Sequence, residues 1–145
     1  MRKKSLGQLT NQASRLFRRV ADQRLEPLGM SSGQLPLLTA LMDRQPLSQK
    51  ELVEHSGIEQ PTVAATLARM ERDGIILRQA DSGDRRSSLF YLTAEALGKM
   101  NAVKKIIESM NMDAARGLSE RQIVEVRKSL TAMIDALSST LTDEP

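Results

Sequence analysis

The sequence predicts a mainly helical fold (α+β) with the element order α-α-α-α-β-β-α-α. Apolar residues recur at steps of three and four before Gly74 and again after Thr93, which is the spacing of amphipathic helices. Between these parts, the apolar runs IILRQ (75–79) and LFYL (89–92) flank a polar loop that contains glycine, as the strands of a hairpin do. A chain of 145 residues has the length of one ordinary domain, so we expect a single domain over 1–145.

Signals that begin and end helices follow one another along the chain. The first predicted helix runs from Leu6 to Leu25 with one apolar stripe. Three serines are each followed, three residues later, by a glutamine or glutamate, which is the spacing of a capping box. These pairs are Ser31 with Gln34, Ser48 with Glu51, and Ser119 with Gln122. Pro61 suits the first turn of the fourth helix, and Thr93 can cap the fifth. Gly57 and Gly74 end the third and fourth helices, as glycine commonly does.

The residues after Thr93 predict two long helices with continuous apolar stripes. The stripe of the fifth helix comprises Leu97, Met100, Val103, Ile107 and Met110. The stripe of the sixth comprises Ile123, Val126, Leu130, Met133, Leu137 and Leu141. The steps of three and four in the sixth helix are close to those of a heptad seam, which favours packing against another helix.

Composition excludes several classes of function. The chain has no cysteine, which rules out disulfides, thiolate metal sites and thiol redox sensing. Its single histidine, His55, argues against a catalytic triad and against a histidine-based metal site. No apolar run is long enough to span a membrane, and the basic N-terminus lacks the apolar core of a secretory signal. We therefore expect no enzyme, no metal, no cofactor and no membrane partner, and a location in a bacterial or archaeal cytoplasm, at the nucleoid.

The basic residues are unevenly distributed. The net charge is only +3, but residues 2–24 contain seven lysines and arginines against one acid, Asp22. This asymmetry is compatible with a polyanionic partner such as nucleic acid. On charge alone, an ordinary solvated helix face is the favoured interpretation.

The segment QKELVEHSGIEQPTVAATLARME (49–71) predicts a helix-turn-helix. A short helix, a tight turn at Gly57 and a longer helix follow in that order, and apolar residues at Val53, Ile58 and Leu67 can hold the two helices together. The outward face of the second helix presents Gln60, Thr62, Ala64, Ala65, Ala68 and Arg69. Such a face can enter the major groove of DNA because nothing bulky blocks it. The alternative is two amphipathic helices that only pack together.

The loop DSGDRRSSLFYLT (81–93) follows the helix-turn-helix directly, and a hairpin in that position is a wing. An arginine at its tip can enter the minor groove, where narrow A·T-rich tracts concentrate negative potential. We expect Arg86 in this role, its guanidinium oriented by the Asp84 carboxylate, and Arg85 and Ser87 beside it at the backbone. The alternative, which would be favoured for an isolated hairpin of this composition, is a solvated hairpin with a charged tip.

Two pieces of the chain carry a family resemblance, QPTVAATLARMERDGIILR (60–78) and DRRSSLFYLT (84–93). The second resembles the wing signature of the MarR (multiple antibiotic resistance regulator) family of winged helix-turn-helix transcription factors. The resemblance covers nearly the whole chain. It implies a homodimer whose winged helix-turn-helix parts (31–92) bind a pseudo-palindromic operator, and whose helices from 1–30 and 93–145 form the dimerisation part.

The resemblance also implies which residues meet double-stranded DNA. They are Ser48, Gln49, Gln60, Pro61, Thr62, Ala64, Ala65, Arg69, Asp84, Arg85, Arg86 and Ser87. Family members often carry a polar reader near Ala64 and Ala65, whereas alanine can contact a thymine methyl but cannot donate a hydrogen bond. We therefore expect readout mainly by DNA shape and by the wing.

A small phenolic or aromatic acid is the effector that the resemblance implies, bound between the dimerisation and DNA-binding parts. Arg15, Arg18 and Arg19 could meet its carboxylate, or could equally be surface or DNA-proximal charges. Repression is the expected mode, although the sequence does not separate a repressor from an activator. The rival function is a winged-helix protein-interaction module that does not bind DNA.

Overall fold

The computed structural model describes residues 2–142 of the chain. These residues fall into two compact units, which divide between Ile107 and Glu108 within a long helix. The first unit contains the sheet and most of the helices. The second consists of the end of that helix and the final helix.

The first helix, α1 (Leu6–Leu25), begins at a capping box. The Ser5 hydroxyl oxygen accepts from the backbone N–H of Gln8 at 3.1 Å, and the Gln8 side chain accepts from the N–H of Ser5 at 2.8 Å. Two backbone donors at the exposed helix start are thereby satisfied. Two 3₁₀ turns (Glu26–Leu28 and Ser32–Gln34) follow, and only Ala21 and Leu25 of α1 are buried.

Three helices come next: α2 (Leu35–Asp43), α3 (Gln49–Ser56) and α4 (Gln60–Arg72). The predicted pair Ser31 and Gln34 forms a capping box, but it opens the second 3₁₀ turn, and α2 begins one residue after Gln34. The turn between α3 and α4 contains Gly57 with φ +67°, a left-handed conformation that L side chains adopt only with strain. This turn ends α3 and leads the chain into α4, which completes the predicted helix-turn-helix.

Three strands form one antiparallel sheet in the spatial order β1-β3-β2. They are β1 (Leu47–Ser48), β2 (Ile76–Asp81) and β3 (Asp84–Leu92). The sequence predicts the hairpin of β2 and β3 but not β1, because two residues are too few to show an alternating pattern. The pairing of Leu47 with Phe90 attaches the start of α3 to the base of the hairpin.

The core of the first unit lies where α2, α3, α4 and the sheet meet. Its largest fully buried side chains include Phe90, Leu38, Leu52, Leu67 and Met70. Among the described residues, no buried side-chain nitrogen or oxygen lacks a hydrogen-bond partner. The helix-turn-helix and the base of the hairpin therefore share one packed interior.

Two long helices complete the chain, α5 (Ala94–Ala114) and α6 (Glu120–Thr142). The Thr93 hydroxyl accepts from the N–H of Ala96 at 3.1 Å, as expected for the cap of α5, and Ser119 with Gln122 caps α6. No described residue of α6 is buried. The predicted mainly helical fold with a winged helix-turn-helix is confirmed, with β1 added to the predicted order.

Substitution of Gly57 by alanine should lower the free energy of unfolding by about 1–2 kcal/mol, because Cβ is disfavoured in the left-handed conformation. Open space surrounds the position, so the backbone strain alone is measured. Gly33→Ala is the matched control, since that glycine also faces open space but has no positive φ. Urea denaturation of both variants checks this; an equal effect of the two substitutions would contradict it.

Candidate nucleic-acid interface

Helix α4 has one buried face and one exposed face. Val63, Thr66, Leu67 and Met70 are buried against the core. The opposite face exposes Gln60, Pro61, Thr62, Ala65, Ala68 and Arg69, whereas Ala64 is half-buried. The N-cap of the helix is Glu59, and Pro61 lies in the first turn, as predicted for Pro61. Most side chains on the exposed face are short, so the groove of a nucleic acid could come close to the helix axis.

The start of α3 lies at the edge of the sheet. The Ser48 hydroxyl oxygen accepts from the N–H of Glu51 at 3.1 Å, and Glu51 Oε1 accepts from the N–H of Ser48 at 3.2 Å. Arg44 Nη2 contacts Glu51 Oε2 at 3.1 Å. Ser48 and Gln49 are both half-buried, and Ser48 also pairs with Leu89 in the sheet. The helix start is therefore held in place by a cap, an ion pair and a strand.

Glu51 is ionised more readily than an ordinary glutamate. The backbone N–H of Ser48 lowers the pKa of Glu51 most strongly. Burial, the second-largest cause, raises this pKa, and the Ser48 side chain, Arg44 and His55 lower it further. A carboxylate that accepts hydrogen bonds is stabilised in its charged form. The capping box is therefore complete throughout the neutral range of pH.

The tip of the hairpin departs from regular pairing. Ala80 pairs with Ser88, but the next residue of β2, Asp81, pairs with Asp84. Residues 85–87 lie between these two pairs and have no Cα partner in β2. Bulges of this kind re-aim side chains and increase the local twist. The segment that the sequence predicts to reach DNA is thus the irregular part of the hairpin.

Two aspartates shape this tip through the backbone. Asp81 Oδ1 accepts from the N–H of Gly83 at 2.9 Å, and Asp84 Oδ1 accepts from the N–H of Arg86 at 2.9 Å. The sequence predicts that the Asp84 carboxylate holds the Arg86 guanidinium, but within residues 2–142 no ion pair joins them. The Asp84 carboxylate instead accepts from the backbone N–H of Arg86, a local contact that short polar side chains in turns commonly make. Asp84 therefore contacts Arg86 through the main chain, and its part in orienting the Arg86 guanidinium stays a prediction.

Three arginines on the exposed face of α4 and at the hairpin tip are exposed to solvent. Arg69 lies in the last turn of α4, and Arg85 and Arg86 lie at the hairpin tip. None of the three has an ion pair with a described residue. Exposed arginines without carboxylate partners are available to an external anion such as phosphate.

Comparison with known proteins identifies the family. The family model described as "MarR family" matches residues 30–88. The uncharacterized HTH-type transcriptional regulator YwoH of Bacillus subtilis is 37% identical over 93 residues, which cover 64% of this chain and 67% of YwoH. The chain belongs to the MarR family. It is a winged-helix transcriptional regulator of that family.

Two solved structures resemble this MarR-family chain along most of its length. The MarR transcriptional regulator from Methanosarcina mazei Go1 is 26% identical with a TM-score of 0.82, covering 93% of this chain and 97% of its own. The S. aureus MepR–DNA complex is 26% identical with a TM-score of 0.86, covering 92% of this chain and 99% of MepR. The fold is thus the same as that of a protein crystallised with DNA.

One arginine that the sequence analysis missed joins two parts of this MarR-family winged helix. Arg78 of β2 donates from Nε to Glu71 Oε2 of α4 at 3.2 Å. Its guanidinium carbon lies 5.1 Å from the centre of the buried Phe90 ring. The two charges are separated by the turn between a helix and a strand, so helical or strand periodicity could not reveal the pair.

The candidate effector arginines all lie on α1. Arg15, with Lys4, Gln8, Asn11 and Gln12, lines an open hollow of about 230 Å³. Arg18 and Arg19 are exposed. Their role in binding an effector stays a prediction.

Two other kinds of feature are absent from the described part of the chain. Within residues 2–142, no helix has the length and apolar character to cross a membrane. The same residues contain no group of three or more side chains suited to hold a metal ion.

Glu51→Gln should reduce the loss of stability in acid. Because the folded-state pKa of Glu51 is lowered, its ionised form stabilises the native chain above the unfolded-state pKa, and this is lost as pH falls through the folded-state value. Glutamine keeps the cap without titrating. Urea midpoints between about pH 6 and about pH 3 should therefore fall less in the variant than in the wild type. Parallel curves for the two proteins would be the contrary result, and Glu54→Gln serves as the control.

Proposed function

We propose that the protein is a double-stranded DNA-binding regulator that binds a pseudo-palindromic operator as a homodimer and represses transcription sterically. The observation that carries the proposal is the irregular hairpin tip, where exposed Arg85 and Arg86 have no described ion-pair partner. They belong to the same compact unit as the exposed face of α4. A helix for the major groove and an arginine-bearing wing are complementary elements of DNA recognition.

Helix α4 would enter the major groove with its small exposed face. Gln60 and Thr62 can exchange hydrogen bonds with base edges, and Ala64 and Ala65 can contact thymine methyl groups. Arg69, further along the helix, would bind a phosphate. Pro61 lacks an N–H, so it would contribute shape rather than a hydrogen bond. The expected sequence discrimination from this face is modest.

The wing would supply the remaining recognition. Arg86 would enter the minor groove, with Arg85 and Ser87 at the neighbouring phosphates. Asp84 would contribute by fixing the backbone at Arg86 through its 2.9 Å hydrogen bond, although it adds a negative charge. At the start of α3, Ser48 and Gln49 would approach the DNA backbone, where a helix N-terminus favours an anion.

Exposed apolar residues support the homodimer. On α6, large apolar side chains are exposed: Val124, Val126, Leu130, Ile134, Leu137 and Leu141. On α1, the same is true of Leu6, Leu9, Leu16 and Phe17. Stripes of this size are uncommon on monomers and usually mark an interface. A second copy of the chain would bury them, and two-fold symmetry would then match a palindromic operator.

A ligand would release the dimer from DNA by favouring a spacing of the recognition helices that no longer matches one helical turn, about 34 Å. The proposed ligand is a small aromatic or phenolic acid. Arg15, Arg18 and Arg19 supply cations that can bind its carboxylate.

Arg86→Ala should weaken binding to a duplex selected by this protein from a randomised library by about 1–3 kcal/mol, with the fold unchanged. The slope of log affinity against log salt should fall by about 0.9 for each phosphate that the variant no longer neutralises. Arg121→Ala is the matched control, because it removes the same charge from the exposed surface of α6. Wild-type binding that does not depend on salt would favour instead a protein-interaction module.

Leu137→Asp should convert the dimer to a monomer at micromolar concentrations, because it places a charge in an apolar interface. Ser138→Asp introduces the same charge at the neighbouring exposed position and should leave the dimer intact. Sedimentation equilibrium distinguishes the two states. A monomeric wild-type protein, or equal masses for the two variants, would contradict the proposed homodimer.

A further inference from the structure

We infer that Arg78, together with Glu71, is a positioning element that sets the direction of the wing relative to the recognition helix. This inference rests on the proposed function and names residues that act in it without touching DNA. Glu71 lies in the last turn of α4, and Arg78 lies in β2, shortly before the irregular tip. Their ion pair therefore joins the two elements that would enter different grooves.

The geometry gives Arg78 two partners at once. Its Nε donates to Glu71 Oε2 at 3.2 Å, and its guanidinium lies 5.1 Å from the centre of the Phe90 ring. Phe90 is 1% exposed and is the register partner of Arg78 in β3. A planar guanidinium can stack on a ring while its edge donates to a carboxylate, which an ammonium cannot do. The buried ring thus provides a fixed surface on which the guanidinium is oriented.

The contribution of this cluster to folding stability is small. The Arg78 and Glu71 side chains are 48% and 45% exposed, and ion pairs in water contribute little because solvent screens them. The fold is held instead by the core beneath. Loss of the pair should leave the chain folded but allow the hairpin to bend about its base, which is the behaviour of a positioning contact.

The direction of the wing affects DNA binding through geometry. The arginines at the tip must arrive at the minor groove while α4 occupies the major groove, and a hairpin free to bend must be ordered on binding. Holding the base of the hairpin against α4 removes part of that entropic cost. Glu71 therefore favours DNA binding although its charge repels phosphate.

The sign of the Glu71 effect is the test. Glu71→Gln should weaken binding to the library-selected duplex by about three- to tenfold, whereas electrostatics alone would strengthen it. Glu59→Gln is the matched control. It removes an exposed carboxylate at the other end of α4 that makes no side-chain capping bond, so it should leave binding unchanged or tighter.

Coupling provides the second readout. The double variant Glu71→Gln with Arg78→Met should bind no more weakly than Arg78→Met alone, because the pair acts as one unit. Arg86→Ala should cost less in the Glu71→Gln protein than in the wild type. Hydrogen exchange of the amides in β2 and β3, measured without DNA, should be faster in Glu71→Gln while the urea midpoint stays within error.

Two results would overturn the inference on its own: a Glu71→Gln protein that binds as tightly as Glu59→Gln, or one whose hairpin amides exchange at the wild-type rate. Absence of salt-dependent duplex binding by the wild type would be a different failure. It would overturn the proposed function and this role together. The exchange measurement would still show whether the pair restrains the hairpin.

Discussion

The junction between α4 and β2 is the constraint on which the rest of the molecule depends. Gly74 has φ +74°, and the N–H of Ile75 donates to the Met70 carbonyl at 2.9 Å, which ends the helix and turns the chain into the strand. The hairpin returns to the same place, where Thr93 donates from its hydroxyl to Gly74 O at 2.8 Å and from its N–H to Ile75 O at 3.0 Å. The recognition helix, both ends of the wing and the start of α5 are joined within a few residues.

Much of this could be predicted from the sequence, because the signals are local. Capping boxes at Ser48 and Ser119, the glycine in the helix-turn-helix and the two apolar runs of the hairpin each depend on residues close together in the chain. A contiguous motif at the hairpin tip likewise predicts part of the candidate site, and its contact with DNA stays a prediction. Local hydrogen bonds, backbone conformation and the short-range apolar pattern each leave a signal within a few residues, so a single sequence suffices to predict these features.

What could not be predicted depends on contacts between distant residues. β1 exists because Leu47 meets Phe90, and the Gln45 side chain accepts from the N–H of Leu92 at 3.0 Å, both between parts of the chain far apart in sequence. The Glu71–Arg78 contact requires the particular angle at Gly74. The sequence predicts that the Asp84 carboxylate binds the Arg86 guanidinium, whereas in the structure it accepts from the backbone N–H of Arg86. Short polar side chains in turns commonly bind their own backbone.

The irregular tip of the hairpin also bears on the solubility of the chain. β2 is an edge strand, and an extended edge with free backbone groups can recruit a strand from another molecule. The register shift at Ala80 and Asp81 twists that edge, and β1 at the opposite edge is only two residues long. The edge of the sheet is therefore a poor template for fibril growth, and the distortion at the hairpin tip also protects against aggregation.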